Sequence, residues 1–293
     1  MDRRNDRSPA AVAASDSLGE PVEITGALHG GCVAAVYRGR SASGRDLVVK
    51  HDDGPSASLN IEAYMLEVLA SHGVRTPEVI AVSPNALVLG YIANDGRRSA
   101  KGERVLARWL ADLHRAPPPG DGRYGLDRDT LIGPLKQINA WDSDWARFLA
   151  ERRLRPMAAL ALDRGTLTNR EAETIERIID RTDELIGDPS GPSLVHGDLW
   201  SGNVLWNDGE PAALIDPAVY VADREVELAF IDLMGGVHEP FWTAYAEQVE
   251  IRPGFWERRR DLYVLYPLLV HAALFGGGYG AQATAVAKRL ARI

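Results

Sequence analysis

Between His196 and Asp216 the chain reads HGDLWSGNVLWNDGEPAALID, and no other stretch restricts the possible folds so strongly. Two short β-prone runs, Val204-Leu205-Trp206 and Ala212-Ala213-Leu214-Ile215, flank Asn207-Asp208-Gly209. Asp-Gly supplies the positive backbone angles of a tight hairpin, so the spacing predicts a strand-turn-strand unit. Polar residues gather at its open end: Asp198 and Asn203 before the first strand, Asp216 after the second. Counted symmetrically about the turn, Asn203 and Asp216 stand opposite one another, with side chains roughly 5 Å apart, close enough to share one divalent cation. These are the parts of a phosphoryl-transfer centre. Asp198 would accept or orient the proton of an acceptor hydroxyl, while Asn203 and Asp216 would hold Mg²⁺ against the phosphates. An Asp and an Asn at this spacing arise by chance about once in a chain of this size, so the weight rests on the whole ordered set.

Upstream residues supply what such a centre lacks. Short β-like runs at Val22–Leu28, Ala34–Arg38 and Leu47–Lys50 form an antiparallel meander, with His29-Gly30-Gly31-Cys32 at its first turn. The Gly30-Gly31 pair would leave backbone N–H groups free for a nucleotide phosphate. A helix is predicted at Ser58–Ser71, on which Leu59, Glu62, Leu66 and Leu69 recur at three- and four-residue spacing. An acid on that inward stripe needs a partner, and Lys50 at the end of the preceding strand is the candidate, a Lys–Glu pair that aims the lysine at phosphates. After a second hairpin, Val79–Val82 with Leu87–Leu89, the connector Gly90-Tyr91-Ile92 is expected to be a hinge whose backbone holds an adenine.

From Arg97 the periodicity is helical, with helices predicted at Val105–His114, Asp144–Leu154, Leu167–Leu185, Leu262–Phe275 and from Ala281. Thr168 and Glu171 form a capping-box pattern, and the glycines of Gly276–Gly280 come after a helix, so they read as a turn. Residues 1–17 show no usable period and are expected to be a disordered leader. The predicted class is therefore α+β: a small antiparallel-sheet N-lobe with one helix over 18–93, and a larger, mainly helical C-lobe over 94–293.

Charge narrows the partners. With 33 Lys and Arg against 41 Asp and Glu the formal charge is −8, which disfavours nucleic acid or an anionic membrane as the main partner. A single cysteine excludes an internal disulfide, and no apolar run suggests a signal peptide or a membrane span, so the expected setting is the cytoplasm and the expected state a monomer. Cys32 falls in the phosphate-loop turn, where it is either a small hydrophobe or a thiolate whose oxidation would block nucleotide or link two chains. Trp200, between the base and the metal ligand, either stacks on the C–H face of a sugar or packs beneath its own loop. His196 reads as a loop support, and His114 and His271 as structural.

The run LVHGDLWSGNVLW with LIDPAVYVADREVELAFIDLMGG after it strongly resembles the fructosamine kinase (ketosamine-3-kinase) family, a branch of the aminoglycoside and choline kinase-like fold. The resemblance extends through HGGCVAAVYR, VVKH, ADLHR and YGLDRDTLIGPLKQINAWDSDWARFLAERRL, and downstream through FWTAYAEQVEIRPGFWERRRDLYVLYPLLVHAALFGGGYG. It implies a bilobal protein-kinase-like fold, ATP and Mg²⁺ as cofactors, and transfer of the γ-phosphoryl group to the 3-hydroxyl of a ketosamine, a sugar joined to an amine. By motif match it makes Asp198 the base, Asn203 and Asp216 the metal ligands, Lys50 with Glu62 the phosphate-positioning pair, and Trp200, Trp141 and Trp145 contacts of the acceptor. Ala222 stands where a Gly is usual, Glu227 where an Asp is common, and Ala34-Ala35 in place of more polar residues, departures that bear on substrate preference. Two other functions use the same residues: a kinase for an aminoglycoside or another amino-sugar alcohol, and a nucleotide-binding pseudokinase that regulates a partner. The presence of all four of Lys50, Asp198, Asn203 and Asp216 opposes the last.

Overall fold

The computed structural model describes residues 8–28, 34–54 and 58–293. The chain forms two compact units, each assembled from separate stretches: 1–102 with 130–135 and 202–218, and 103–129 with 136–201 and 219–293. The sequence boundary at 93/94 differs from this division chiefly in the predicted catalytic hairpin, which belongs to the first unit.

In the first unit, strands β1 (Val22–Leu28), β2 (Ala35–Ser41), β3 (Asp46–His51), β4 (Val79–Val82) and β5 (Ala86–Gly90) form an antiparallel sheet in the order β1-β2-β3-β5-β4. Strand alternation sends one set of side chains to each face. Val22, Leu47, Val49 and Val88 pack against Ala10 and Ala14 of helix α1 (Pro9–Leu18). Leu87 and Leu89 pack against Leu59, Ala63 and Leu66 of helix α2 (Ser58–Ser71), whose limits match the predicted helix.

Helix α1 corrects the expected disordered leader over residues 8–17, residues 1–7 lying outside the described residues, and with it the expectation of one helix beside the sheet. Its local signals are complete. The Ser8 hydroxyl accepts the Ala11 N–H, Pro9 occupies the first turn, and Gly19 closes the helix in the left-handed conformation with its N–H on Ser15 O. The buried face is alanine, so its hydrophobic period is faint, yet small side chains allow a helix to lie close on a sheet. Ser15 Oγ also accepts the Val22 N–H, tying the helix to β1.

The second unit is mainly helical. Helix α3 (Ala100–Arg115) enters it, and a short hairpin comes next in the chain, β6 (Thr130–Ile132) with β7 (Leu135–Gln137). Helix α4 (Trp145–Leu149) runs on through a π-helical turn at Ala150–Leu154 into α5 (Arg155–Asp163). Helices α6 (Asn169–Ile179), opened by the predicted Thr168–Glu171 capping box, and α7 (Thr182–Ile186) lead to strand β8 (Pro192–Val195). Strands β9 (Val204–Asn207) and β10 (Glu210–Leu214) are the predicted hairpin and belong to the first unit, and strand β11 (Tyr220–Asp223) pairs antiparallel with β8 in the second. Helices α8 (Glu225–Met234), α9 (Glu239–Ala246), α10 (Arg260–Phe275) and α11 (Tyr279–Leu290) complete the chain. Helix α10 is buried on nearly every side from Leu262 to Ala273 and packs against α5, α8 and α11, which makes it the axis of this unit. No helix among the described residues is long and apolar enough to cross a membrane.

Candidate active site

In the first unit Lys50 lies on the α2 side of β3, cross-strand from Val36. Its Nζ is 2.5 Å from Glu62 Oε1 and also donates to Asp216 Oδ1. The Lys50 side chain is 10% exposed, so the ammonium has exchanged water for two carboxylates. Burial alone would lower the Lys50 pKa, but the Glu62 and Asp216 charges outweigh it and hold the group above its ordinary value. Burial and the Asp216 charge push Glu62 upward against the pull of Lys50. Two carboxylates share one ammonium here, leaving a largely buried cluster one positive charge short.

Asp216 reaches this cluster from the open end of the β9–β10 hairpin. The turn is Asp208-Gly209, with φ of 50° and 82°, as Asp-Gly predicts. Past it the ladder shifts by one residue between Pro211 and Ala213, so the Ile215 N–H meets Asn203 O at 3.0 Å. Asn203 therefore pairs with Ile215, one position short of the Asp216 expected from the sequence. Asp216 has φ of 52°, a left-handed conformation that Asp tolerates better than most residues and that recurs at functional positions. The hairpin is fastened by residues just before and within the start of α3: Asp95 N–H donates to Trp206 O at 2.9 Å, Ser99 Oγ to Gly209 O at 2.7 Å, and Lys101 pairs with Glu210 at 2.5 Å. Only the tertiary fold reveals this strap, since it joins residues a hundred positions apart.

The donor chemistry of this end fits Mg²⁺. A carboxylate and an amide are oxygen donors of the hard kind that ion prefers, and the missing positive charge calls for a cation. Among the described residues no group of three or more His, Cys, Asp and Glu side chains could hold a metal alone. Mg²⁺ commonly takes one or two protein ligands and completes its shell with phosphate oxygens and water.

The hinge prediction is sharpened by hydrogen bonds already made. Gly90 N–H donates to Glu78 O at 2.9 Å and Tyr91 N–H to Asp46 O at 3.2 Å, so neither amide is available to a base. Ile92 N–H makes no hydrogen bond among the described residues. Arg38 lies 4.2 Å over the Tyr91 ring, an unpredicted contact at the edge of this connector. Gly30, Gly31 and Cys32 lie outside the described residues.

In the second unit Asp198 comes after β8 in the turn His196-Gly197-Asp198, with Gly197 at φ 84°. Its N–H donates to His196 Nδ1 at 3.3 Å, and His196 is fully buried, a loop support as expected. Glu227 reaches this loop from the first turn of α8. Its Oε1 accepts the Gly197 N–H at 2.8 Å, and its Oε2 accepts the His196 N–H at 3.2 Å and lies 3.0 Å from His114 Nε2. His114 Nδ1 is 2.7 Å from the Tyr245 hydroxyl. Burial opposes the Glu227 charge, but His114 and the loop amides hold its pKa below the usual value. Sequence reasoning marks His114 as structural and Glu227 as a departure from family pattern; their meeting is a product of the fold.

The three tryptophans separate. Trp200 is 38% exposed and makes no ring contact with another aromatic among the described residues, so part of its indole faces outward. Trp141 is half-buried against Gly120, where a Cβ would fall 2.2 Å from the ring, with Arg123 5.3 Å from its face. Trp145 is 2% exposed, donates Nε1–H to Tyr263 OH at 3.2 Å, and is flanked by Tyr124 and Phe148. This corrects its assignment as an acceptor contact, because a ring enclosed on all sides is a core residue.

A sequence model described as fructosamine kinase matches residues 8–292. The chain belongs to the fructosamine kinase family. Among its relatives is a protein of Synechocystis named "Probable ketoamine kinase", 34% identical over 95% of both chains. Another is the chloroplastic protein-ribulosamine 3-kinase of Arabidopsis thaliana, 30% identical over 92% of this chain and 83% of the relative. A crystal structure from Thermobifida fusca, of a candidate fructosamine-3-kinase, superposes with a TM-score of 0.88 at 32% identity over 97% of this chain and 99% of the other. An aminoglycoside phosphotransferase bound to streptomycin and ATP, at 15% identity and a TM-score of 0.64 over 98% and 99% of the two chains, shares the fold. This fructosamine kinase family member is thus a phosphotransferase on an α+β protein-kinase-like fold.

Proposed function

We propose that the enzyme uses ATP and Mg²⁺ to phosphorylate the 3-hydroxyl of a fructosamine or ribulosamine. The observation that carries the reading is Lys50 held between Glu62 and Asp216, an ammonium oriented by one carboxylate and in contact with a second at a cation-seeking position. The ketoamine and ribulosamine kinase names of relatives at 30–34% identity support the acceptor class.

Each residue then has a task. Glu62 positions Lys50, and Lys50 leaves Asp216 to bind α- and β-phosphate oxygens. Bound Mg²⁺, held by Asp216 and Asn203, would neutralise charge developing on the transferred phosphoryl group. Ile92 N–H is the connector amide that can donate to the base, with the Gly90 and Tyr91 carbonyls as acceptors. Asp198 orients the acceptor hydroxyl and takes its proton as the oxygen attacks. Trp200 offers an exposed indole to the C–H face of the sugar, and Trp141 is a second acceptor-side candidate.

ADP release measured with fructose-lysine, ribulose-lysine and aminoglycosides tests this. Turnover is expected on a ketosamine, with the phosphate on the sugar 3-oxygen by NMR. Turnover on an aminoglycoside alone would overturn the acceptor assignment. Asp198→Asn should abolish transfer while leaving ATP affinity within about twofold; retained activity would remove Asp198 from the chemistry.

A further inference from the structure

Helix α9 and the π-helical stretch Phe255–Arg259 ahead of α10 sort their charges by side. The four arginines of residues 252–260 are turned toward the rest of the unit. Arg252 and Arg259 pair with buried Glu225, Arg260 pairs with Asp232 and Asp261, and Arg258 is half-buried beside Gly187, its charge acting on Glu184. The glutamates do the opposite. Glu239, Glu247, Glu250 and Glu257 are all exposed, and among the described residues none of them has a basic partner; Glu239 accepts the Thr243 hydroxyl. Two indoles lie among these acids. Glu239 is three residues before Trp242 on α9 and so shares its face, Glu257 directly follows Trp256, and Glu247 and Glu250 lie in the connection between. Trp256 is 50% exposed and Trp242 half-buried, their rings 5.3 Å apart and edge-on. Phe241 and Phe255, neither of them exposed, hold the two indoles from beneath at 5.3 and 4.8 Å, so a partner has little ordering left to impose.

We propose that this face docks a lysine- or arginine-rich segment of another protein. Charge complementarity selects that occupant. An anionic or purely apolar surface laid here would desolvate carboxylates and give them nothing to pair with, whereas a cationic chain meets the carboxylates and the electron-rich ring faces together. Exposed indoles backed by a rigid core are also the side chains on which binding energy concentrates at protein interfaces. The face thereby draws in proteins with basic surfaces, whose lysine amines are the groups that a sugar can modify to a ketosamine. That consequence for turnover rests on the ketosamine reading; the docking itself does not.

Fluorescence anisotropy of a labelled oligolysine peptide measures the docking on the full-length enzyme. The variant Glu247→Gln/Glu250→Gln/Glu257→Gln is compared with Glu23→Gln/Glu67→Gln/Glu173→Gln, which makes the same change in net charge at exposed acids elsewhere. The first should weaken binding about tenfold or more and the second less than about twofold. Trp256→Ala should weaken it about threefold or more. High salt should remove most of the parent's affinity and little of what the first variant retains, because screening at about 1 M reaches within about 3 Å of a charge. Absence of oligolysine binding, or equal weakening in the two glutamine variants, would overturn the proposal, the latter by showing only the general field of an acidic protein. Full binding in folded Trp256→Ala would overturn it as well; if that variant does not fold, the glutamine variants decide, since all their positions are exposed. In turnover, the first variant should raise KM for a glycated lysine-rich protein and leave KM for fructose-lysine unchanged, and an unchanged KM for the protein would defeat the recruiting role. Failure to turn over either acceptor would defeat the ketosamine reading, while the peptide-binding result would still decide the docking.

Discussion

Replacing Glu62 with Gln removes a charge from the Lys50 cluster while keeping its volume, and the structure sets the scale of the loss. Lys50 Nζ sits 2.5 Å from Glu62 Oε1, and the two side chains are 10% and 18% exposed. A hydrogen bond to a charged partner in such a setting contributes about 1.5–3 kcal/mol, so kcat/KM for ATP should fall by about 10- to 150-fold. The loss has a direction: without Glu62, the ammonium keeps only Asp216, and ATP and Mg²⁺ must both compete with that contact. Stability should change little. Breaking a buried pair is costly when it strands a charge, but Lys50 retains Asp216, and Glu62 is itself a carboxylate whose charge burial disfavours. A change below about 1 kcal/mol corresponds to a Tm shift of at most about 4 °C in a protein of this size. Coupled ADP-release kinetics at varied ATP, with calorimetry on the same samples, measure both quantities. Full activity would show that Glu62 does not orient Lys50. A Tm collapse in proportion to the activity loss would show that the pair serves the fold.

The tryptophans should separate cleanly in the same two assays. Trp145→Ala is expected to cost about 3–5 kcal/mol of stability, read by denaturant unfolding, because it empties a core position. Trp200→Ala should leave stability within about 0.5 kcal/mol and raise KM for the ketosamine about three- to tenfold; an unchanged KM would remove Trp200 from the acceptor site. At Gly102 a Cβ would lie 2.1 Å from Gly209 O and 3.0 Å from the Trp206 ring, so Gly102→Ala should displace the hairpin that carries Asn203 and Asp216. Its expected signature is about 1–3 kcal/mol of lost stability together with a higher Mg²⁺ requirement in kinetic titration. Asp142 is held below the usual carboxylate range by the Arg147 guanidinium and the Asp144 N–H. A depressed folded value stabilises above the unfolded pKa of about 3.9 and is lost as pH falls through the folded value, so Asp142→Asn should be less stable than the parent at pH 7 and indistinguishable from it at the acid end of a pH–unfolding series.

Local chemistry accounts for the elements legible in the sequence. Helix α2, the Thr168–Glu171 capping box and the Asp208-Gly209 turn are each specified within a few residues, and each is where the sequence places it. Helix α1 carries equally local signals in Ser8, Pro9 and Gly19, but its alanine face lacks the contrast that periodicity needs. The pairing of Lys50 with Glu62 is legible because a strand-end lysine and an inward acid have few other partners.

The order of amino acids thus specifies a set of chemical groups and the elements that carry them: an ammonium on a strand, an acid on a helix stripe, and three polar residues about one hairpin. Folding in three dimensions chose their company. The β9–β10 register set Asn203 opposite Ile215, one position short of Asp216, and enclosure by Tyr124, Phe148 and Tyr263 made Trp145 a core residue. The β8–β11 pairing brought Glu227 and His114 beneath the loop that carries Asp198. Capping and turn formation depend on neighbours a few positions apart, whereas the burial of Trp145 against Tyr263 and the strapping of the hairpin by Asp95 and Ser99 join groups a hundred positions apart, and only the folded chain brings those within reach.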